Sequence, residues 1–402
     1  MKLHFTNASA FSLDSKTISA GMFDVSAKME TAHVDRDIFV DSSEYVLLPG
    51  FIDVHVHFRE PGFSYKETIA SGSAAAAHGG YGAVCTMPNL DPAPDCIENL
   101  RIQTNKIEKE AAIKVLPFGT ITKGQNGKEL SDIEALAPFV CGFSDDGKGV
   151  DNRGLMKEAM ERAHAVGKII AAHCEDGSAP KDSPEAEWHE VERDILLSDQ
   201  TGAALHICHI STKESLSLIR DAKKSGVNVT CETAPHYLLL SEKDVRDDGR
   251  FRMNPPLRAE ADRLALLEGI ADGTIDMIAT DHAPHSAEEK SRGLRSLNGI
   301  VGLECAFPVL YTELCKKGFI PLSRLVELMS TAPAARFGIA PDGYALWDLT
   351  AEYKLDPSRF LSMGRSTPFE GMTLSGTCMA TVSRDRVAYL DPSLQKKIQA
   401  SN

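Results

Sequence analysis

From Gly50 to about residue 340, eight short apolar runs alternate with helical patterns, and this rhythm restricts the possible folds more than any other feature of the chain. The runs are Phe51–His57, Ala83–Met87, Ile113–Gly119, Phe139–Ser144, Lys168–His173, Ala204–His209, Val227–Glu232 and Ile275–Asp281. Between them, Ser64–His78 is Ala-rich, while Arg153–Val166 and Thr212–Ser225 repeat apolar residues three and four apart. Thr212 followed by Ser215 marks a helix start, and Gly226 a stop. Parallel strands need a crossover between them, so strand–helix repetition predicts a parallel sheet of the α/β class. Eight such units match a closed (β/α)8 barrel of the TIM type.

The flanks read differently. Residues 1–48 are short, alternating and turn-rich, and the tail from Asp342 offers short runs at Thr373–Ser375 and Met379–Val382. The expected organisation is a barrel over 49–341, with 1–48 and 342–402 forming one small β-sandwich domain. A chain of 402 residues has room for both.

The formal net charge of −14 argues against a nucleic-acid partner, which would require a basic face. An anionic small molecule remains compatible, because one Arg in a cleft can dominate locally. Met1–Asn7 lacks the apolar core of a secretory signal, and no run of about 18 apolar residues could span a bilayer. The 9 cysteines are scattered, without a Cys-X-X-Cys pair, which suits reduced thiols in a cytoplasmic protein. Cys174 and Cys208 adjoin candidate ligands. Strand alternation turns them away from those neighbours, so packing is their expected role.

In a (β/α)8 enzyme the chemistry sits at the C-terminal ends of the strands. The first run carries His55, His57 and Arg59, which strict alternation puts on one face, with Val54, Val56 and Phe58 on the other. Asn89 follows the second run and Asp145-Asp146 the fourth; His173 and His209 end the fifth and sixth. Asp281 ends the eighth, with His285 close behind. Singly, each has an ordinary explanation: a turn for Asp145-Asp146-Gly147, a hydrogen-bonded core residue for either lone histidine. Their joint placement on one rim does not. Four histidines with carboxylates suit zinc, and they exceed what one tetrahedral ion with an open position needs. Two ions about 3.5–4 Å apart would accommodate them and acidify a shared water. Asp281 is best placed to move the proton from that water to a departing nitrogen. Arg59 could grip a carboxylate by two parallel hydrogen bonds.

Seven stretches carry a specific resemblance. They are His55-Val-His57-Phe-Arg59-Glu-Pro-Gly62, Met87-Pro-Asn89, Phe143-Ser-Asp-Asp-Gly147, Ala172-His-Cys-Glu175, Cys208-His-Ile-Ser-Thr212, Met253-Asn-Pro-Pro-Leu-Arg258 and Ala279-Thr-Asp-His-Ala-Pro-His285. In this order they closely resemble dihydroorotase, of the amidohydrolase superfamily, and Ser366-Thr-Pro-Phe369 extends the match into the tail. The resemblance implies reversible cyclisation of N-carbamoyl-L-aspartate to L-dihydroorotate in pyrimidine synthesis. By position, His55, His57 and Asp281 would hold one Zn2+, His173 and His209 a second, and Asp146 would bridge them. Arg59, Asn89 and His285 would grip the substrate carboxylate and Asn254 would contact the ring. His57 would also border the substrate, and Asp145 is assigned to structure. No lysine lies in Pro138–Ser144 to serve as a carboxylated bridge, which points to the class with a bridging aspartate. Two departures stand out. The 175–192 segment is shorter than the family usually has. Leu297-Asn298-Gly299 replaces the family's frequent Pro-Phe-Gly beside the substrate, which makes Asn298 and Gly299 the expected contacts there.

The same resemblance implies a homodimer and association with aspartate transcarbamoylase. Two other readings compete with it. A hydantoinase or allantoinase would share the metals but need not keep Arg59, Asn89 and His285. A catalytically silent relative scaffolding the transcarbamoylase would have little reason to keep every ligand.

Overall fold

The computed structural model describes residues 2–12, 14–29, 37–340 and 342–400. Eight parallel strands are present at the eight apolar runs: Phe51–Val56, Tyr81–Thr86, Lys114–Pro117, Gly142–Phe143, Ile169–Ala172, Leu205–Ile207, Val229–Thr233 and Met277–Ile278. The first three pair in order as one sheet, and the remaining five pair in order as a second. Isolated parallel bridges, Gly119 to Phe143 and Val56 to His282, link the two sheets at both ends. Each parallel strand therefore has a neighbour on either side.

Most strands are shorter than their apolar runs, which lose residues at the start, the end or both. Alternation along them splits the core. Ile169 and Ala171 join Ile52, Ala83, Cys85 and Met277 in one buried cluster, while Ile170 and Ala172 pack with Phe143, Val56 and the helices in another.

The helices form where caps and apolar periodicity agree. Ile69–His78 begins after Thr68, whose hydroxyl accepts from the Ser71 N–H in a reciprocal capping box. The expected start at Ser64 is thus corrected to Ile69. Thr212 caps Lys213–Lys224 by accepting from the Ser215 N–H, as its position suggested, and Arg153–Ala165 starts on Asn152. Within residues 175–192, Ser183 caps and Pro184 opens the long helix Pro184–Thr201.

Both ends of the chain enter one seven-stranded sheet. Lys2–Ser12 pairs with Thr17–Lys28, Asp37–Asp41 and Val46–Pro49, and Val46–Pro49 pairs antiparallel with Tyr344–Lys354 from the tail. Thr373–Ser383 and Arg386–Leu390 complete it. The two short runs expected in the tail belong to the single strand Thr373–Ser383. The tail also contains a helix, Pro392–Ala400, which the polar turns there had hidden. Leu3, Phe5, Ile38, Leu346 and Val382 form the buried face of this sheet. Among the described residues no helix is long and apolar enough to cross a membrane.

Candidate metal and substrate site

The ends of the parallel strands bring six ligand-type side chains together. His55 and His57 come from the first strand and the turn after it, and Asp146 follows the fourth strand. His173 and His209 follow the fifth and sixth, and Asp281 follows the eighth. Asp146 lies at their centre. Its Oδ1 is 3.3 Å from His55 Nε2, 3.4 Å from His173 Nδ1 and 3.5 Å from His209 Nε2, and its Oδ2 is 3.4 Å from His57 Nε2. Asp281 Oδ1 lies 3.1 Å from His57 Nε2 and 3.6 Å from His55 Nε2. The ligand atoms of His55, His57 and Asp281 fall within 4.8 Å of one another, and so do those of His55, Asp146 and His209.

Electrostatics tests whether these groups fit a cation. His55 Nε2 and Asp146 Oδ1 are buried without a hydrogen-bond partner, although they face each other. Burial disfavours charge on His55, but the Asp146 and Glu232 carboxylates outweigh it and raise its pKa well above the usual value. Against the same opposition, Asp146 and Glu175 push His173 up to about 10. Burial would raise Asp146, yet His55, His173 and His209 hold it well below the carboxylate range. Buried carboxylates that keep their charge by drawing protons onto imidazoles form a site where a divalent cation can replace those protons. The donor set, histidine nitrogen with carboxylate oxygen, suits such an ion.

Every sequence-predicted site residue except His55 lines one cavity of about 240 Å³; His55, fully buried, supports it from beneath. A cavity of about 440 Å³ beside Trp347, Tyr353 and Tyr389 is larger, but the ligating side chains converge in the smaller one. Arg59 is 9% exposed; its Nε donates to Pro284 O at 3.3 Å, and among the described residues no carboxylate is within ion-pair distance. Arg59 does not reach the cavity by alternation. The strand ends at Val56, and Arg59 takes a left-handed φ of 57°, a rare and strained backbone for a bulky residue. His209 and Asp281 also have positive φ, 33° and 48°. The expectation that Val54, Val56 and Phe58 share a face fails as well. A register shift between Asp53 and Val56 sends Val54 into the Ile52 cluster and leaves Val56 and Phe58 in the other.

Asn89 accepts from His57 Nδ1 at 2.9 Å, which leaves His57 Nε2 for the cluster and the Asn89 amide N–H groups for a ligand. Lys66 donates to His285 Nδ1 at 3.2 Å, so His285 Nε2 carries the proton and donates to Asn298 O at 2.7 Å. Burial, then Arg59 and Lys66, lower the His285 pKa to about 3, and the ring is neutral. Both its nitrogens are engaged within the protein, so His285, expected to grip a carboxylate, is left with a place in the cavity wall instead. Asn254 donates to Glu175 Oε2 at 2.8 Å, and Gly299 N donates to Arg252 O at 3.1 Å. Asp145 accepts from Ile121 N, Thr122 N and the Thr122 hydroxyl, tying down the preceding loop. Cys174 and Cys208 are buried in apolar clusters, and burial pushes the Cys208 thiol up to about 12, consistent with packing.

A family model described as dihydro-orotase-like matches residues 44–189. A dihydroorotase of Fusobacterium nucleatum is 44% identical over 390 residues, 90% of this chain and 92% of that protein. A dihydroorotase of Bacillus subtilis is 43% identical over 391 residues, 90% and 91% of the two chains. This chain belongs to the dihydroorotase family. Its members are hydrolases of a cyclic amide bond. Two solved structures share the fold. The L-hydantoinase of Arthrobacter aurescens superposes with a TM-score of 0.82 at 23% identity, over 96% of this chain and 95% of that one. The dihydropyrimidinase of Brevibacillus agri reaches 0.81 at 22%, with the same coverage.

Three side chains in this dihydroorotase-family site escaped the sequence reading. Glu232 Oε1 accepts from His55 Nδ1 at 2.7 Å, which fixes the tautomer that aims Nε2 at the cluster, and its Oε2 lies 3.2 Å from His206 Nε2. Burial opposes its charge, but the two histidines hold Glu232 at about 2. A carboxylate near the C-terminal end of a barrel-type strand was the available signal. Glu175 lies 3.3 Å from His173 Nε2 and does the same for that ring. Lys66 had no signal, since its role depends on a contact 219 residues away.

Proposed function

We propose that this chain is a zinc-dependent dihydroorotase interconverting N-carbamoyl-L-aspartate and L-dihydroorotate. The observation that carries the reading is Arg59, a buried guanidinium without a carboxylate, beside the His/Asp cluster in one cavity. A buried cation left unpaired is costly, and a substrate carboxylate supplies its partner. A hydantoin or allantoin ring carries no such group. The solved hydantoinase structures, below 25% identity, speak for the fold alone.

In this reading the eight parallel strands close as a (β/α)8 barrel, and the small β-sandwich domain of 1–48 and 342–402 is built from the terminal sheet. That sheet curls back on itself, because Thr17–Lys28 pairs with both Lys2–Ser12 and Arg386–Leu390. His55, His57 and Asp281 would hold one Zn2+ and His173 and His209 the other, with Asp146 shared. Bound there, the ions would supply Lewis acidity to the amide carbonyl and to an attacking water. The rest falls to the chain. Arg59 and the free amide of Asn89 hold the substrate carboxylate. His285 and Asn298 shape the wall behind it, and Asn254 and Gly299 border the ring. Burial would raise Asp281, but the neighbouring His57 and His55 lower it, leaving an ionised base at the cluster's edge. It takes the proton from water and delivers it to the ring nitrogen as the amide bond breaks. In the cyclising direction the same carboxylate returns the proton.

Homodimerisation, association with aspartate transcarbamoylase and a cytoplasmic location belong to the same reading, on family resemblance. The test is turnover of L-dihydroorotate, hydantoin and allantoin by the purified chain, with zinc measured alongside. Zinc with preference for dihydroorotate is expected; preference for either other ring would reject the assignment.

A further inference from the structure

Lys290 is 7% exposed and faces no carboxylate within ion-pair distance among the described residues. Its ammonium instead donates to three backbone carbonyls: Arg252 O at 3.0 Å, Leu297 O at 2.8 Å and Gly299 O at 2.7 Å. An ammonium has three protons, and each has an acceptor here. Its place is set locally. Ser286 and Glu289 form a capping box that fixes the single turn Ala287–Lys290 directly after His285. The three carbonyls come from two separate segments. One leads into Asn254; the other contains Leu297, Asn298 and Gly299, which line the cavity. The segments also touch directly, through Gly299 N and Arg252 O at 3.1 Å. Three carbonyl oxygens aimed at one point repel one another unless a cation lies between them.

We propose that Lys290 is a positioning residue, an ammonium staple that locks the Asn254 and Leu297–Gly299 segments into one wall of the substrate cavity. The inference rests on reading that cavity as the dihydroorotate site. Without the staple, Asn254, Asn298 and the His285–Asn298 bond lose their common anchor, while Arg59 and the six ligand-type side chains keep theirs. The defect should therefore fall on substrate binding more than on chemistry.

Burial first, and then the charge of Arg252, lower the Lys290 pKa to about 8, so assays belong at pH 7, where the ammonium is intact. The test compares wild-type chain with Lys290→Met, which is apolar, and Lys290→Gln, which retains two donors. Measured are zinc content, Tm, and kcat and KM for L-dihydroorotate. For Lys290→Met, unchanged zinc, a KM raised about tenfold or more and a kcat within about threefold of wild type are expected, with Lys290→Gln intermediate. A wild-type KM in the Met variant overturns the staple, as does equal loss of kcat with KM unmoved. Should the Met variant not fold, the Gln variant decides by the same two criteria. A wild-type chain that leaves dihydroorotate untouched instead overturns the function on which the inference rests.

Discussion

In the proposed mechanism, Asp281 and Arg59 divide the work between proton transfer and substrate binding. Asp281 carries an ionised carboxylate at the edge of the ligand cluster, its Oδ1 3.1 Å from His57 Nε2. Asp281→Asn preserves shape and an oxygen ligand but removes the proton acceptor. Turnover should fall about 10²- to 10⁴-fold with zinc retained, and near-normal kcat would place the base elsewhere. Arg59→Met would delete the proposed charged hydrogen bonds to the substrate, each worth roughly 1.5–3 kcal/mol, so KM should rise about 10- to 100-fold while kcat changes little. An unchanged KM removes Arg59 from the clamp. His285 gives a prediction in pH. Its folded pKa, about 3, lies below the ordinary histidine value, so acidification from pH 7 to 5 should leave the ring neutral. Nitrogen chemical shifts of the imidazole should report an Nε2–H tautomer at both pH values; protonation at pH 5 would contradict the Lys66–His285–Asn298 chain.

Elements are joined through contacts as specific as those at the site. The turn between helix Ile69–His78 and strand Tyr81–Thr86 passes through Gly80, at φ 82°. A Cβ there would lie 2.3 Å from Cζ2 of Trp347, on the terminal-sheet strand Tyr344–Lys354. Only a residue without a side chain suits both the left-handed backbone and this close approach. Gly80→Ala should cost about 2–4 kcal/mol, from backbone strain and overpacking together. The measurement is Tm by scanning calorimetry; a variant as stable as wild type would mean that Trp347 moves aside freely.

For the whole molecule, the proposed ions act as cross-links. Their ligands come from five of the eight parallel strands or the loops after them, so removing metal loosens contacts far apart in sequence. A ligand that binds only the folded chain stabilises it by about 4 kcal/mol at a thousandfold excess over its Kd. Chelation should therefore lower Tm, and added zinc should restore it. A Tm indifferent to chelator would argue that the His/Asp cluster is held together by its own proton-sharing pairs alone.

Much of this was legible in the chain because its signals are local. The βα rhythm and the placement of His55, His57, Asp146, His173, His209 and Asp281 at strand ends follow from periodicities of two and 3.6 residues, and the Thr212 cap from a hydrogen bond spanning three residues. Tertiary structure alone decided the rest. Asp146 meets four histidines through space, Glu232 finds His55 across 177 residues, and Lys290 gathers carbonyls from two segments that only folding brings together. Arg59 is the instructive case. Alternation correctly placed it beside the histidines but by the wrong route, because the chain turns through a strained left-handed conformation that no local preference favours. Residue patterns along one strand obey short-range sterics. Which strand ends face one another, and at what distance, depends on how the whole sheet closes and packs.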